Sequence, residues 1–123
     1  MEQRSPAQRI AEARARIRNI DVDTAAAERD AGAVVVDVRE ADERREHGVI
    51  PGALHIPLSA VADSLDRLDR DGRIIFHCAG GGRSALATDL VQQQGFRDVA
   101  NLDGGFAAWN AAGKPVEAEG GTA

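Results

Sequence analysis

Ile74-Ile75-Phe76-His77-Cys78-Ala79-Gly80-Gly81-Gly82-Arg83-Ser84 is the stretch on which the reading of the fold turns. Ile74 to Phe76 show no polar alternation, the pattern of a strand covered on both faces. A cysteine, three glycines and an arginine follow. From Arg83 onward Leu86, Leu90 and Val91 recur at helical spacing, as far as Gly95, which suits a left-handed C-cap. Strand, tight turn and helix in that order form the repeating unit of a parallel sheet with helices laid over it.

The rest of the chain extends the same pattern. Val34-Val35-Val36 is a second buried run, Val99 to Leu102 a third, and Ile20-Asp21-Val22 and Leu54-His55-Ile56 read as brief strands. Asp23 or Thr24 can cap a helix through Asp30, and Ser59 another that lines up Leu58, Ala62, Leu65 and Leu68. A further helix over Gly105 to Ala112 turns Phe106 and Trp109 inward and stops at Gly113, before Pro115. Pro6 to Arg18 reads as an amphipathic helix, with Ile10, Ala13 and Ile17 on one side and Arg9, Glu12, Arg14, Arg16 and Arg18 on the others; that charged side is either a solvated face or a basic docking face. The fold class expected is α/β, a mostly parallel central sheet with helices on both faces. The domain organisation expected is an N-terminal helix over 1–19, one domain over 20–116 and a flexible tail over 117–123.

Composition narrows the function. A chain of 123 residues with 43% hydrophobic and 28% charged residues is one globular domain with a real core. Fifteen basic against 20 acidic residues, a net charge of −5, argue against a nucleic-acid partner. No apolar run approaches the roughly 20 residues of a membrane span, and no secretory leader is visible, so a cytoplasmic protein without a membrane partner is expected. The single cysteine, Cys78, rules out a disulfide within the sequence and a cysteine-rich zinc site.

Cys78 stands where chemistry is expected. In open α/β sheets ligands bind beyond the C-terminal ends of the strands. Glycines let the backbone curl so that successive N–H groups converge, and the helix that follows adds its unpaired N–H groups and positive dipole end. A thiol in such a cradle is expected below its free pKa of about 8.5. Arg83 is expected to add a fixed positive charge at the far end of the loop. Four residues separate Cys78 from Arg83. Cysteine-dependent phosphatases resemble this loop but carry one residue more, which widens the ring for a tetrahedral phosphate. The tighter ring suits a smaller anion such as the outer sulfur of a persulfide.

From about Ile20 to Val116 the sequence resembles the single-domain rhodaneses, a sulfurtransferase family. The matching pieces are Val36-Asp37-Val38-Arg39-Glu40, Gly48-Val49-Ile50-Pro51-Gly52-Ala53, Ile56-Pro57, the Cys78-to-Ser84 loop, and Leu102-Asp103-Gly104-Gly105-Phe106 followed by Trp109 and Pro115. Two departures stand out. His47-Gly48-Val49-Ile50 replaces the family's Gly-His-Ile, so His47 receives no role. The middle of the loop carries only Ala79, Gly80, Gly81 and Gly82, where the family commonly places a basic or bulky side chain that selects donor and acceptor.

The resemblance implies a rhodanese-like fold and a thiosulfate sulfurtransferase-like enzyme that needs no cofactor. Cys78 would be the nucleophile and carry the persulfide. Ala79, Gly80, Gly81, Gly82, Arg83 and Ser84 would bind it, with a small sulfur donor and a thiophilic acceptor, either cyanide or a thiol, as partners. A protein acceptor is the alternative, with the domain acting as a sulfur carrier or regulatory module. A small cysteine phosphatase or arsenate reductase is a further alternative that the loop length disfavours. Asp37 and Arg39 share a side of their strand near the loop. Asp37 reads as structural, holding nearby backbone or an arginine, with a pocket wall as its alternative; Arg39 reads as a pocket wall or a surface ion pair. Ser84 reads as a helix cap or as a hydrogen-bond donor toward the pocket, with capping preferred, and Trp109 as core. His77 and Cys78, as neighbours, face opposite sides of the strand, so with His55 they make no metal pair.

Overall fold

The computed structural model describes residues 3–120; the start of the expected N-terminal segment and the end of the expected tail lie outside them. Its elements are α1 (Pro6–Arg16), β1 (Arg18–Ile20), α2 (Val22–Asp30), β2 (Val34–Asp37), α3 (Ala41–His47), β3 (Leu54–His55), two 3-10 turns (Leu58–Ala60 and Leu65–Arg67), β4 (Arg73–His77), α4 (Gly82–Gln93), β5 (Asp98–Leu102) and α5 (Gly105–Ala111). The five strands form one parallel sheet in the order β1-β5-β4-β2-β3. The expected fold class holds.

β4 is the central strand, and its alternation explains the two cores. Ile74 and Phe76 face one side, where Val36, Val99, Phe96 and the α4 residues Ala87 and Val91 meet them. Ile75 faces the other side with Val35, Ala100, Leu102, Ala25 of α2, and Phe106 and Trp109 of α5. Each fully buried side chain of this size contributes roughly 1.5–3 kcal/mol relative to exposure. The same alternation continues past the strand. Cys78 follows Phe76 toward α4, whereas His77 follows Ile75 toward α5 and stacks on Phe106.

Several local expectations change. Asp21, not Asp23 or Thr24, caps α2, accepting a 2.8 Å hydrogen bond from the Thr24 amide. The helix expected after Ser59 is replaced by the two 3-10 turns. Leu58 N–H is tied to Val38 O at 3.0 Å and Leu68 is already extended before β4, so the segment is held at both ends. Short turns still bury Val61 and Leu68 on the α4 side of the sheet. α3 was not signalled by the periodicity, because its sequence Ala-Asp-Glu-Arg-Arg-Glu-His buries none of its residues. The tail begins on a paired residue: Glu117 bridges Val49 through two backbone hydrogen bonds of 2.8 and 2.9 Å.

The turn from β5 into α5 approaches the end of β4 closely. A Cβ on Gly105, whose φ is +60°, would stand 2.6 Å from the Cys78 carbonyl oxygen and 2.7 Å from that of Ala79. Gly105→Ala is therefore expected to destabilise the fold by roughly 2–3 kcal/mol, read as a lowered denaturant midpoint at unchanged slope.

Candidate functional site

β4 ends at His77, and α4 begins at Gly82 with Gly81 as its N-cap, in the left-handed region at φ +98°. Between them the backbone of Cys78 to Gly81 turns its polar groups in two directions. The carbonyls of Cys78 and Ala79 point away and accept from the amides of Phe106 and Ala107 on α5, at 2.8 and 3.1 Å. The Gly81 amide points inward and donates to Cys78 Sγ at 3.1 Å. Cys78 is 1% exposed, so the sulfur lies at the floor of the loop.

Ser84 does not cap α4. Its buried hydroxyl stands 3.4 Å from Sγ and 2.6 Å from Asn101 Oδ1. The hydroxyl has one proton to give, so Asn101 and the sulfur compete for it. Asn101, wholly buried on β5, also donates through Nδ2 to Gly81 O and to Asn19 Oδ1, each at 3.1 Å. Burial pushes the Cys78 thiol up. Hydrogen bonds from the Ser84 side chain and from the amides of Ser84, Gly81 and Gly80 outweigh it and leave the thiol below its ordinary value.

Arg83 is not the free cation that the loop suggested. Its guanidinium forms a two-pronged pair with Glu43 of α3, at 2.7 and 2.8 Å. That hydrogen bonding holds the Glu43 carboxyl down at about 2. Glu43 also accepts from the Glu40 amide at 2.9 Å, so one carboxylate caps α3 and neutralises the loop's arginine. Sequence reading missed Glu43. Its only trace was the Glu40–Glu43 spacing of a capping box.

Arg39 belongs to a buried pair, not a surface one. Its Nε and a terminal nitrogen donate to Asp37 at 3.0 and 2.9 Å, with the Arg39 amide adding a third bond at 3.0 Å. Both side chains are at most 1% exposed. Arg44 of α3 joins at 3.2 Å, and the Arg39 guanidinium lies 4.3 Å from the Phe106 ring centre. Asp37 thus holds both nearby backbone and two arginines, and its carboxyl stays below the usual range although burial opposes this. His77 completes the cluster: its Nδ1 is 3.3 Å from the Cys78 carbonyl, and its partnerless Nε2 is 3.7 Å from Asp37 Oδ2. His55 instead meets the Arg39 carbonyl at 2.8 Å.

Beside the loop lies an open cleft of about 280 Å³, lined by Arg39, Glu43, His47, Ala79, Phe106, Ala107 and Asn110. His47, given no role in the sequence, lies on its wall. Trp109 is buried as core, its Nε1 donating to Pro115 O at 2.7 Å. Among the described residues no group of three or more His, Cys, Asp or Glu gathers to hold a metal, and no helix is long and apolar enough to cross a membrane.

The sequence model of the rhodanese-like domain matches residues 21–112. The thiosulfate sulfurtransferase GlpE of Pseudomonas savastanoi is 36% identical over 94 residues, covering 76% of this chain and 88% of the relative. GlpE of Pseudomonas fluorescens is 39% identical, covering 75% and 84%. Among solved structures, a Rhodopseudomonas palustris protein of unknown function, described as a possible tyrosine phosphatase, superposes with a TM-score of 0.83 at 32% identity, covering 95% of this chain and 99% of that one. A thiosulfate sulfurtransferase from Pseudomonas aeruginosa superposes with a TM-score of 0.78 at 30% identity, covering 89% of this chain and 22% of that one.

The Asp37 cluster generates a pH dependence. Burial depresses His77 to about 4, against the pull of Asp37 and with the push of Arg39 and Arg44. The unfolded chain therefore binds a proton that the folded chain refuses between about pH 6.5 and 4, so this contribution to stability is full above that window and is lost as pH falls through it. Denaturant titrations should show His77→Phe, set against Phe106, losing roughly 2–3 kcal/mol less than the parent between pH 7 and 4.

Proposed function

Since the chain belongs to the rhodanese-like domain family, we propose that it is a sulfurtransferase that carries a sulfane sulfur on Cys78. The observation that supports this reading most directly is the Gly81 amide donating to Sγ at 3.1 Å from a loop whose Cys78 and Ala79 carbonyls are held away. That arrangement favours a negative charge on sulfur at this position, whether on the thiolate or on a sulfur attached to it. The Pseudomonas relatives named as thiosulfate sulfurtransferases point to thiosulfate as donor.

In the first half-reaction the Cys78 thiolate attacks the outer sulfur of thiosulfate. A new S–S bond forms, the bond to the sulfonate sulfur breaks, and sulfite leaves with that electron pair. In the second, cyanide or a thiolate attacks the terminal sulfur of the persulfide, and the Cys78 thiolate leaves. Two half-reactions through a covalent intermediate give ping-pong kinetics. No second cysteine is present in the sequence, so the acceptor comes from outside it, as a small thiophile or a thiol on a partner protein. The cleft next to Ala79 is the route by which donor and acceptor reach the loop.

The charge pairing at that cleft shapes donor use. Arg83→Ala strips Glu43 of its counter-ion and leaves an uncompensated carboxylate facing an anionic donor. Thiosulfate kcat/KM is expected to fall roughly tenfold in Arg83→Ala, with partial recovery in Arg83→Ala/Glu43→Gln, because like-charge juxtaposition is what opposes the donor. Equal loss in the single and double variants would show that the repulsion does not operate.

Intact-mass measurement after exposure to thiosulfate tests the reading as a whole. The parent should gain the mass of one sulfur atom, cyanide should remove it as thiocyanate, and Cys78→Ser should gain nothing. Hydrolysis of an aryl phosphate by a chain that never gains sulfur would replace the proposal with a phosphatase reading.

A further inference from the structure

Helix α1 precedes residue 21, where the family match starts. It nevertheless packs along α4, burying Ala13, and meets the back of the Cys78 loop at two points. The first is Ile10: a Cβ placed on Gly82 would stand 3.1 Å from Ile10 Cδ1. The second is Arg14: a Cβ placed on Gly81 would stand 3.3 Å from a terminal nitrogen of its guanidinium. The same guanidinium donates to Asp103 at 2.6 Å, in the turn that leads to α5. That turn closes in from the other side, with Gly104 N only 3.2 Å from the Cβ position on Gly81.

A polar relay runs parallel to these contacts. The Arg14 carbonyl accepts from Asn19 Nδ2 at 3.0 Å, Asn19 Oδ1 accepts from Asn101, and Asn101 holds Gly81 O. The end of α1 is thereby coupled to Gly81, whose amide reaches the sulfur at 3.1 Å. A run of three glycines has more backbone freedom than any other tripeptide. A hydrogen bond of this length weakens steeply when its donor swings by a few tens of degrees. Something must restrict those glycines, and α1 crowds the space that side chains on Gly81 and Gly82 would have filled, while the space beside Gly80 is open.

We propose that Ile10 and Arg14 are positioning residues for the Cys78 site, forming a rear wall that holds Gly81 and Gly82 with the Gly81 amide on the sulfur. This rests on the reading of Cys78 as the reactive group. It assigns α1 a part in the site that the matched family segment does not contain, and it gives a steric reason for glycine at positions 81 and 82. Ile10 and Arg14 act through the loop and touch no reacting atom.

The test uses the full chain and reads the rate of Cys78 alkylation by iodoacetamide against pH, alongside thermal melts. Gly82→Ala should slow alkylation roughly fivefold in the parent, since touching residues couple by about 1 kcal/mol, and less than about twofold in an Ile10→Ala background, where the methyl group has room. Arg14→Met should raise the pH midpoint of alkylation by about half a unit, and Arg14→Lys should restore it, as expected of a donor that orders the loop. If the Gly82 variant does not fold, the Arg14 pair carries the test alone. Equal cost of Gly82→Ala in both backgrounds, or a midpoint unmoved in Arg14→Met while only the melting temperature drops, overturns the proposal. Alkylation requires only the thiolate. A chain that shows the coupling yet never gains sulfur from a donor therefore refutes the functional reading and leaves this one standing.

Discussion

The carbonyls of Cys78 and Ala79 are claimed by the amides of Phe106 and Ala107, and the geometry of the loop depends on that claim. A peptide unit is planar, so anchoring a carbonyl on one side fixes the direction of the next amide on the other. With two successive carbonyls turned toward α5, the chain that follows curls over the sulfur. Gly81 then reaches φ +98° and delivers its amide to Sγ at 3.1 Å. The close approach of α5 is in turn allowed only because position 105 has no side chain. Donors to the sulfur and anchors of the loop are therefore one system, distributed over β4, α4, β5 and α5.

Charge around this loop is organised by pairing. Arg83 is neutralised by Glu43, and Arg39 by Asp37 with Arg44 alongside. The buried Arg39–Asp37 pair adds little net stability, because desolvation offsets the attraction, but removing one member leaves an expensive uncompensated charge; Arg83 and Glu43 are only half-buried. The effect of both pairs is to fix geometry: Arg83 ties the start of α4 to α3, and Arg39 spans from the end of β2 to the Phe106 ring. Neutral donors, the Ser84 hydroxyl and the loop amides, are the largest causes holding the Cys78 thiol down, and the Arg83 guanidinium interacts with the sulfur besides its bond to Glu43. Backbone amides hold their direction without an accompanying flexible side chain, so they need no reorganisation when charge appears.

Much of this was legible in the residues. The runs at 34–36, 74–76 and 99–102 marked the three inner strands because a strand buried on both faces cannot alternate apolar with polar residues. The glycines after Cys78 marked the turn because only they sit comfortably at positive φ. What escaped had weak or misleading local signatures. α3 buries no residue, so no periodicity announced it, and with it went Glu43. Asn101 sits inside an apolar run, where it read as a strand residue rather than as the hinge between Gly81 and Ser84. Ser84, two residues inside α4, had the composition of a cap and the position of a pocket residue.

The sequence by itself determined the class of sheet, the place of Cys78 at the end of a buried strand, and the length of the loop that follows it. These are local matters: side-chain alternation, the spacing from Cys78 to Arg83, and backbone conformations that only glycine adopts cheaply. Only the tertiary structure decided which groups face the sulfur, which charges are spent on one another, and that a helix from outside the matched segment closes the loop from behind. Those outcomes join residues 40 positions apart, as in Arg83 and Glu43, or 89 apart, as in Arg14 and Asp103. Such partners are brought together by burial and sheet order, which act on the whole chain at once and leave no mark in any short window of it.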